Sequence, residues 1–140
     1  GKFEIRVDTH FQRVMELCGE PRKTQDKTWI NPELIRLYTI LHYYGHAHSI
    51  ETWQEGRLVG GVYGVNIGGL FAGESMFSRV RDASKVALVA LVEILKSKGF
   101  ELFDVQFTTE HLKTFGAREI SQEEYKHRLE QALQNPIEWD

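Results

Sequence analysis

Apolar residues near the start of the chain recur at intervals of three and four, which predicts a helix that buries one face. These residues are Phe11, Val14, Met15 and Cys18. Asp8 in front would serve as the N-cap, and Gly19 behind would end the helix. A second helix is predicted to begin at Asn31-Pro32, an N-cap followed by a first-turn proline, and to end at Gly45.

The hydrophobic period then changes to two, which predicts a meander of three antiparallel strands. These strands span residues 47–53, 58–66 and 70–78, with glycine-containing turns between them. Residues 82–98 are apolar around most of the helical circumference, so we predict a buried helix there. A strand over 101–107 follows, and Ser121 opens a last helix with the capping box Ser-Gln-Glu-Glu. Helices kept apart from an antiparallel sheet predict an α+β fold.

Composition narrows the class of protein. A chain of 140 residues with 41% hydrophobic content suits one domain, expected over residues 1–140. The net charge of −3 makes no global case for nucleic-acid binding. Cys18 is the single cysteine, which excludes an internal disulfide and fits a reducing cytoplasm. Without a long apolar run we expect no membrane span, and the start at Gly1 suggests a trimmed chain.

Polar residues within apolar strands mark the candidate site. Asp104 and Gln106 share one face of their predicted strand, and Glu74 is predicted to share a face with Met76. A carboxylate in such a segment must be paired, hydrogen-bonded or turned to a cavity. For Asp104 and Gln106 the alternative is an edge position bonded to backbone, and for Glu74 it is a structural salt bridge.

Basic residues surround the predicted start of the buried helix: Arg79, Arg81 and Lys85. Helix N–H groups with flanking cations can bind a phosphate, although a solvated turn balanced by Asp82 is the alternative. His46 and His48 have the spacing of a metal pair, but no third ligand is evident.

Four segments together resemble the leucyl/phenylalanyl-tRNA–protein transferases. They are Gly45–Ser49, Phe71–Arg79, Asp82–Lys85 and Leu102–Gln106. The resemblance implies an acetyltransferase-like (GNAT-like) fold, with Asp104 and Gln106 as a relay that removes a proton from the attacking amine. It also implies a substrate pocket that holds an ammonium group at Glu74. The implied lining consists of Phe71, Ser75, Met76, Leu88, Leu91, Leu95 and Trp53, with the acids and the leucines facing one hollow.

The implied activity transfers Leu, Phe or Met from aminoacyl-tRNA to proteins that begin with Arg or Lys, which marks them for degradation. Such transfer needs no metal or cofactor, because the ester is already activated. Ser75 is not expected to be a nucleophile, since Phe77 stands where a serine-hydrolase elbow requires glycine. The alternatives are an acetyl-CoA-dependent acyltransferase, disfavoured by the missing Gly-x-Gly turn, and a non-catalytic module that binds N-termini. The family's N-terminal portion is expected to be absent here.

Overall fold

The computed structural model describes residues 3–19, 31–100, 102–105, 121–135, 137 and 139. Within these ranges the elements are, in chain order, β1 (Glu4–Val7), α1 (Phe11–Cys18), α2 (Pro32–Tyr43), β2 (Ala47–Gln54), β3 (Arg57–Ile67), β4 (Leu70–Ser78), α3 (Ala83–Lys98), β5 (Leu102–Val105) and α4 (Gln122–Gln134).

The strands form one mixed sheet in sequence order, β1-β2-β3-β4-β5. Strands β1 to β4 pair antiparallel, and β5 lies parallel to β4 because α3 carries the chain back across the sheet. The predicted meander and the α+β class are therefore confirmed. Strand β1 was not predicted, since three of its four side chains are exposed and it shows no buried alternation.

Helices cover both faces of this sheet. Val62 and Tyr63 are neighbours on β3, so their side chains point to opposite faces. Tyr63 packs with α1 in a cluster that we call the α1 cluster: Phe11, Val14, Met15, Leu17, Cys18, Ala47, Tyr63 and Phe77. Val62 packs under α3 in the α3 cluster: Ile50, Val62, Phe71, Ala87, Leu91, Leu95 and Trp139.

The fourth helix lies against β4 and β5 through a smaller apolar contact. Its Ala132 is fully buried against Leu70, and Tyr125 and Leu129 pack beside them. The Ala132 carbonyl also accepts the Gly69 N–H at 2.6 Å, which fixes α4 to the β3–β4 turn. None of the described helices combines the length and the apolar character that a membrane crossing requires.

Most of the predicted helix ends are confirmed, including Gly19 at the C-cap of α1, and the one at Asp8 is wrong. Asn31 accepts the Leu34 N–H at 2.9 Å, Ser121 accepts the Glu124 N–H at 3.1 Å, and Gly99 ends α3 with φ +83°. Asp8 does not cap α1: His10 stands at the N-cap and offers no side-chain bond. Instead, the N–H groups of Thr9 and His10 donate to a carboxylate on β2, described below.

A β-bulge in β4 changes the predicted face of several side chains. Tyr63 pairs with Ser75 and Gly64 pairs with Gly73, so Glu74 is the extra residue. Phe71 consequently belongs to the α3 cluster and Phe77 to the α1 cluster. The prediction that Glu74 and Met76 share a face is therefore wrong, because an extra residue reverses the alternation beyond it.

Candidate active site

Glu74 lies at the bulge of β4 and is half-buried. The Tyr38 hydroxyl of α2 donates to Glu74 Oε1 at 3.4 Å, so this carboxyl faces the helices α1 and α2. Burial raises the pKa of the Glu74 carboxyl; the Tyr38 hydrogen bond opposes this and the charge of Asp104 adds to it. Glu74 therefore holds its proton more tightly than an exposed glutamate.

Asp104 lies near the end of the β4–β5 ladder. Its register partner is Ala72, and the last pair among the described residues is Gly73 with Val105. The Tyr125 hydroxyl of α4 donates to Asp104 Oδ2 at 2.9 Å. Glu74 stands two residues beyond Ala72 on β4, so the two acidic residues lie close together on adjacent strands. Gln106, predicted to join Asp104, lies outside the described residues.

Tyrosines surround this pair of carboxyl groups, and sequence reasoning gave none of them a role. The Tyr63 hydroxyl is buried and has no hydrogen-bond partner among the described residues. Its ring stands 6.0 Å from the Tyr38 ring, and burial raises the pKa of the Tyr63 phenol. Buried phenols near buried carboxyl groups stay protonated and so remain donors. In the sequence, Tyr38 stands at a core-facing position of the second predicted helix, and such a position is typical of ordinary packing.

The predicted side-chain pocket lies against α3. Leu88, Leu91 and Leu95 are buried, as is Phe71, and the half-buried Met76 packs against the α3 cluster. Tyr38 and Asp104 stand on the α1 side of β4, so the described acids and leucines do not share one face. This corrects the expectation of a single shared hollow. Strand β4 continues to Ser78, beyond Gly73–Val105, the last described pair of the β4–β5 ladder.

Ser75 and Trp53 occupy different surroundings. Ser75 is half-buried and pairs with Tyr63, one residue beyond the bulge. Trp53 is buried on β2 and pairs with Leu58, five residues along β3 from Tyr63. Five strand residues span about 17 Å, so Trp53 lies well away from Glu74 along the strands.

Glu51 organises the region around Trp53, and sequence reasoning missed it. Its side chain is fully buried on β2. It accepts hydrogen bonds from the Trp53 indole at 3.2 Å and the Ser49 hydroxyl at 2.8 Å. It also accepts the N–H groups of Thr9 at 3.0 Å and His10 at 2.9 Å, and the Thr9 hydroxyl. Glu51 thus serves the start of α1 as a remote cap.

Asp8, which precedes Thr9 in the chain, forms a second polar group with His42 and His48. His46 is exposed and precedes β2, so it does not share a strand face with His48. His48 instead contacts Asp8 Oδ2 at 2.7 Å, and His42 lies 3.8 Å from Asp8 Oδ1. These three could surround a metal ion. Their ligand atoms are already engaged, however, since His42 Nδ1 also lies 2.9 Å from the Ala47 carbonyl.

The basic residues stand where the sequence placed them, at the junction of β4 and α3. Arg79 and Arg81 are exposed, and Lys85 pairs with Asp82 at 3.0 Å. The Ser84 N–H donates to the Ser78 hydroxyl at 3.1 Å, so an amide at this helix start already has a protein acceptor. An anion at this turn would therefore depend on side chains more than on helix amides.

Comparison of the sequence with known proteins identifies the family of the chain. The family model described as leucyl/phenylalanyl-tRNA protein transferase matches residues 1–130. The chain belongs to the leucyl/phenylalanyl-tRNA–protein transferase family. A relative with that name in Herpetosiphon aurantiacus is 59% identical over 132 residues, covering 94% of this chain and 67% of its own. One in Paramagnetospirillum magneticum is 56% identical, covering 94% of this chain and 63% of its own. The chain thus spans about two thirds of the length of these relatives.

Several solved acetyltransferase structures share this architecture at low sequence identity. A probable acetyltransferase superposes with a TM-score of 0.67 at 11% identity, covering 85% of this chain and 92% of its own. An aminoglycoside acetyltransferase from a soil metagenome gives 0.63 at 14% identity, with coverages of 86% and 92%. These similarities confirm the acetyltransferase-like fold that the family resemblance implied.

Proposed function

We propose that this protein transfers Leu, Phe or Met from aminoacyl-tRNA to the α-amine of acceptor proteins that begin with Arg or Lys. Its membership of the transferase family supports this reaction class. The structural observation that carries it is the neighbouring pair Glu74 and Asp104, held by tyrosines beside the end of the β4–β5 ladder.

In the proposed reaction the acceptor amine attacks the ester carbonyl that links the amino acid to the terminal ribose. A C–N bond forms, the C–O ester bond breaks, and the ribose hydroxyl leaves with a proton. Asp104 accepts the proton that the amine loses and passes it to the leaving ribose oxygen, while Gln106 orients the amine. An α-amine has a pKa of about 7.7–8.0, so a correctly placed carboxylate gives enough assistance near neutral pH.

Glu74 is proposed to hold an ammonium group of a substrate. Burial makes the empty site unfavourable for a charged carboxylate, and an arriving cation would reverse that balance. The pKa of Glu74 therefore falls when the cation binds, which couples substrate binding to proton release. The Tyr38 hydroxyl holds the carboxyl in place for this contact.

The transferred side chain is proposed to enter beside Leu88, Leu91 and Leu95, with Phe71 and Met76 as further walls. An apolar pocket separates ligands by only about 1–3 kcal/mol per methylene, so it would accept several unbranched chains. Ser75 and Trp53 remain proposed substrate contacts, the latter toward the terminal adenine. Arg79, Arg81 and Lys85 are proposed to contact tRNA phosphates.

The deciding experiment replaces Asp104 by Asn and measures transfer of labelled leucine from leucyl-tRNA to an Arg-starting peptide. Asn keeps the size and an acceptor for Tyr125 but cannot take a proton, so the rate should fall by about 10²–10⁴-fold. Glu93→Gln, an exposed change on α3, is the matched control and should keep full activity. An Asp104→Asn protein that folds and transfers leucine at the wild-type rate would sink the proposal.

A further inference from the structure

Tyr125 fixes one of the two oxygens of Asp104. Its hydroxyl donates to Asp104 Oδ2 at 2.9 Å, a good distance for a hydrogen bond to a carboxylate. Among the residues that the structure describes, the Asp104 carboxylate is bound through Oδ2 and not through Oδ1. This contact gives the carboxylate a defined direction.

The tyrosine is itself held firmly. Its ring packs beside Leu70 and Ala132, the contact that joins α4 to β4. Burial raises the pKa of the Tyr125 phenol, and the hydrogen bond to Asp104 raises it further. The phenol therefore stays protonated across the neutral range and remains a donor.

The hydrogen bond from Tyr125 to Asp104 matters because a second carboxyl group, that of Glu74, lies nearby. Two carboxyl groups that share a site cannot both ionise freely, so the environment decides which one keeps a proton. Asp104 receives the Tyr125 hydroxyl, while Glu74 is disfavoured as an anion by burial. Among the described residues the other phenols that face Glu74 are Tyr38 on α2 and Tyr63 on β3.

We propose that Tyr125 is a positioning residue that holds the Asp104 carboxylate in a fixed direction toward the attacking amine. This inference rests on the proposed function, in which Asp104 accepts the proton of the attacking amine. No substrate contact is needed from Tyr125, because it acts through Asp104. Helix α4 therefore takes part in catalysis by holding a base that belongs to the sheet.

The test replaces Tyr125 by Phe, which keeps the ring packing and removes the hydroxyl. A hydrogen bond to a charged group is worth about 1.5–3 kcal/mol, so kcat for leucine transfer should fall roughly tenfold to a hundredfold. KM for both substrates should stay unchanged. The acid limb of the kcat–pH profile should move to higher pH, because a carboxylate without its donor takes up a proton more readily.

Three further variants, each made in the full chain, separate the possible outcomes. Tyr43→Phe, at a residue 82% exposed on the surface of α2, should match wild type. A fluorinated tyrosine at position 125, a stronger donor of nearly the same shape, should move the acid limb to lower pH. If both changes at position 125 leave the pH profile unmoved while Asp104→Asn is inactive, the role of Tyr125 is overturned and the proposed function stands. If Asp104→Asn is fully active, the proposed function itself fails.

Discussion

Tyr38 and Glu74 meet between α2 and the bulge of β4, with the phenol hydroxyl donating to the carboxyl at 3.4 Å. Both groups are partly removed from water, and both have a raised pKa: burial is the main cause, and each partner's proximity modifies it. Helix α2 thus contacts Glu74 because the β-bulge turns this side chain toward the helix. The bulge therefore determines the surroundings of a residue that is proposed to bind substrate.

Glu74→Gln should make the folded protein more stable at neutral pH while lowering transfer activity. A glutamate whose pKa is raised by folding favours the native state while protonated, and that advantage is lost as pH rises from the ordinary value of 4.5 through the raised value. Gln is neutral throughout and still accepts from Tyr38. Thermal unfolding should therefore show a higher Tm than wild type at pH 7.5.

The pH dependence of that difference is the sharper measurement. Below about pH 4.5 the wild-type carboxyl is protonated in both states, so the Tm difference between Glu74→Gln and wild type should shrink toward zero. Glu93→Gln, exposed on α3, provides a control with the same chemical change. A Glu74→Gln protein that is less stable than wild type at pH 7.5 would show that a favourable contact of the charged form outweighs burial.

Much of the fold could be predicted because local signals and tertiary packing agree. The caps at Asn31 and Ser121 and the stop at Gly99 depend on residues within one turn, so the sequence alone reveals them. Strand β1 escaped prediction because it lies at an edge and pairs through its backbone with β2. The misassigned cap at Asp8 has a similar cause: the real acceptor, Glu51, lies more than forty residues away along the chain.

The geometry around the predicted site residues could not be derived from the sequence. Alternation along a strand cannot show an inserted residue, and the bulge at Glu74 decides which helices face each side chain beyond it. The tyrosines that hold Glu74 and Asp104 come from α2 and α4, and nothing local links them to β4 and β5. Contacts of this kind depend on the whole fold.

Replacing Glu51 by Ala should destabilise the protein by roughly 2–4 kcal/mol, because it leaves several buried donors unsatisfied. Those donors include the Trp53 indole and the N–H groups that begin α1. Urea unfolding gives the free energy. Glu16→Ala, which loses a half-exposed ion pair with Arg13 and an exposed 3.5 Å contact from Gln12, should change it by about 0.5 kcal/mol or less. Equal effects of the two changes would refute a structural role for Glu51.

Glycines 64 and 73 face each other in the register, yet we expect substitutions there to differ sharply. A Cβ at Gly64 would stand 2.3 Å from the Ala72 carbonyl oxygen, a backbone atom that cannot move alone, and 2.5 Å from the Phe71 ring. A Cβ at Gly73 would meet the Phe103 ring at 3.1 Å, a contact that a small ring shift relieves. Gly64→Ala should therefore cost about 3 kcal/mol or more and Gly73→Ala less, measured by urea unfolding. The reverse order would contradict the described path of β4 at the bulge.

Met76 offers a test of the proposed side-chain pocket that spares the fold. It is half-buried and packs against the α3 cluster, two residues beyond Glu74. Met76→Ala should enlarge the space beside Phe71 and Leu91 and so favour the larger donor side chain. Because a methylene in an apolar pocket is worth about 1–3 kcal/mol, kcat/KM for phenylalanyl-tRNA relative to leucyl-tRNA should rise by roughly tenfold. Met76→Leu conserves volume and should leave the ratio near its wild-type value, which separates pocket size from loss of the thioether. If Met76→Ala slows both donors equally, the residue supports the sheet without lining the pocket, and the transferred side chain must bind elsewhere on α3.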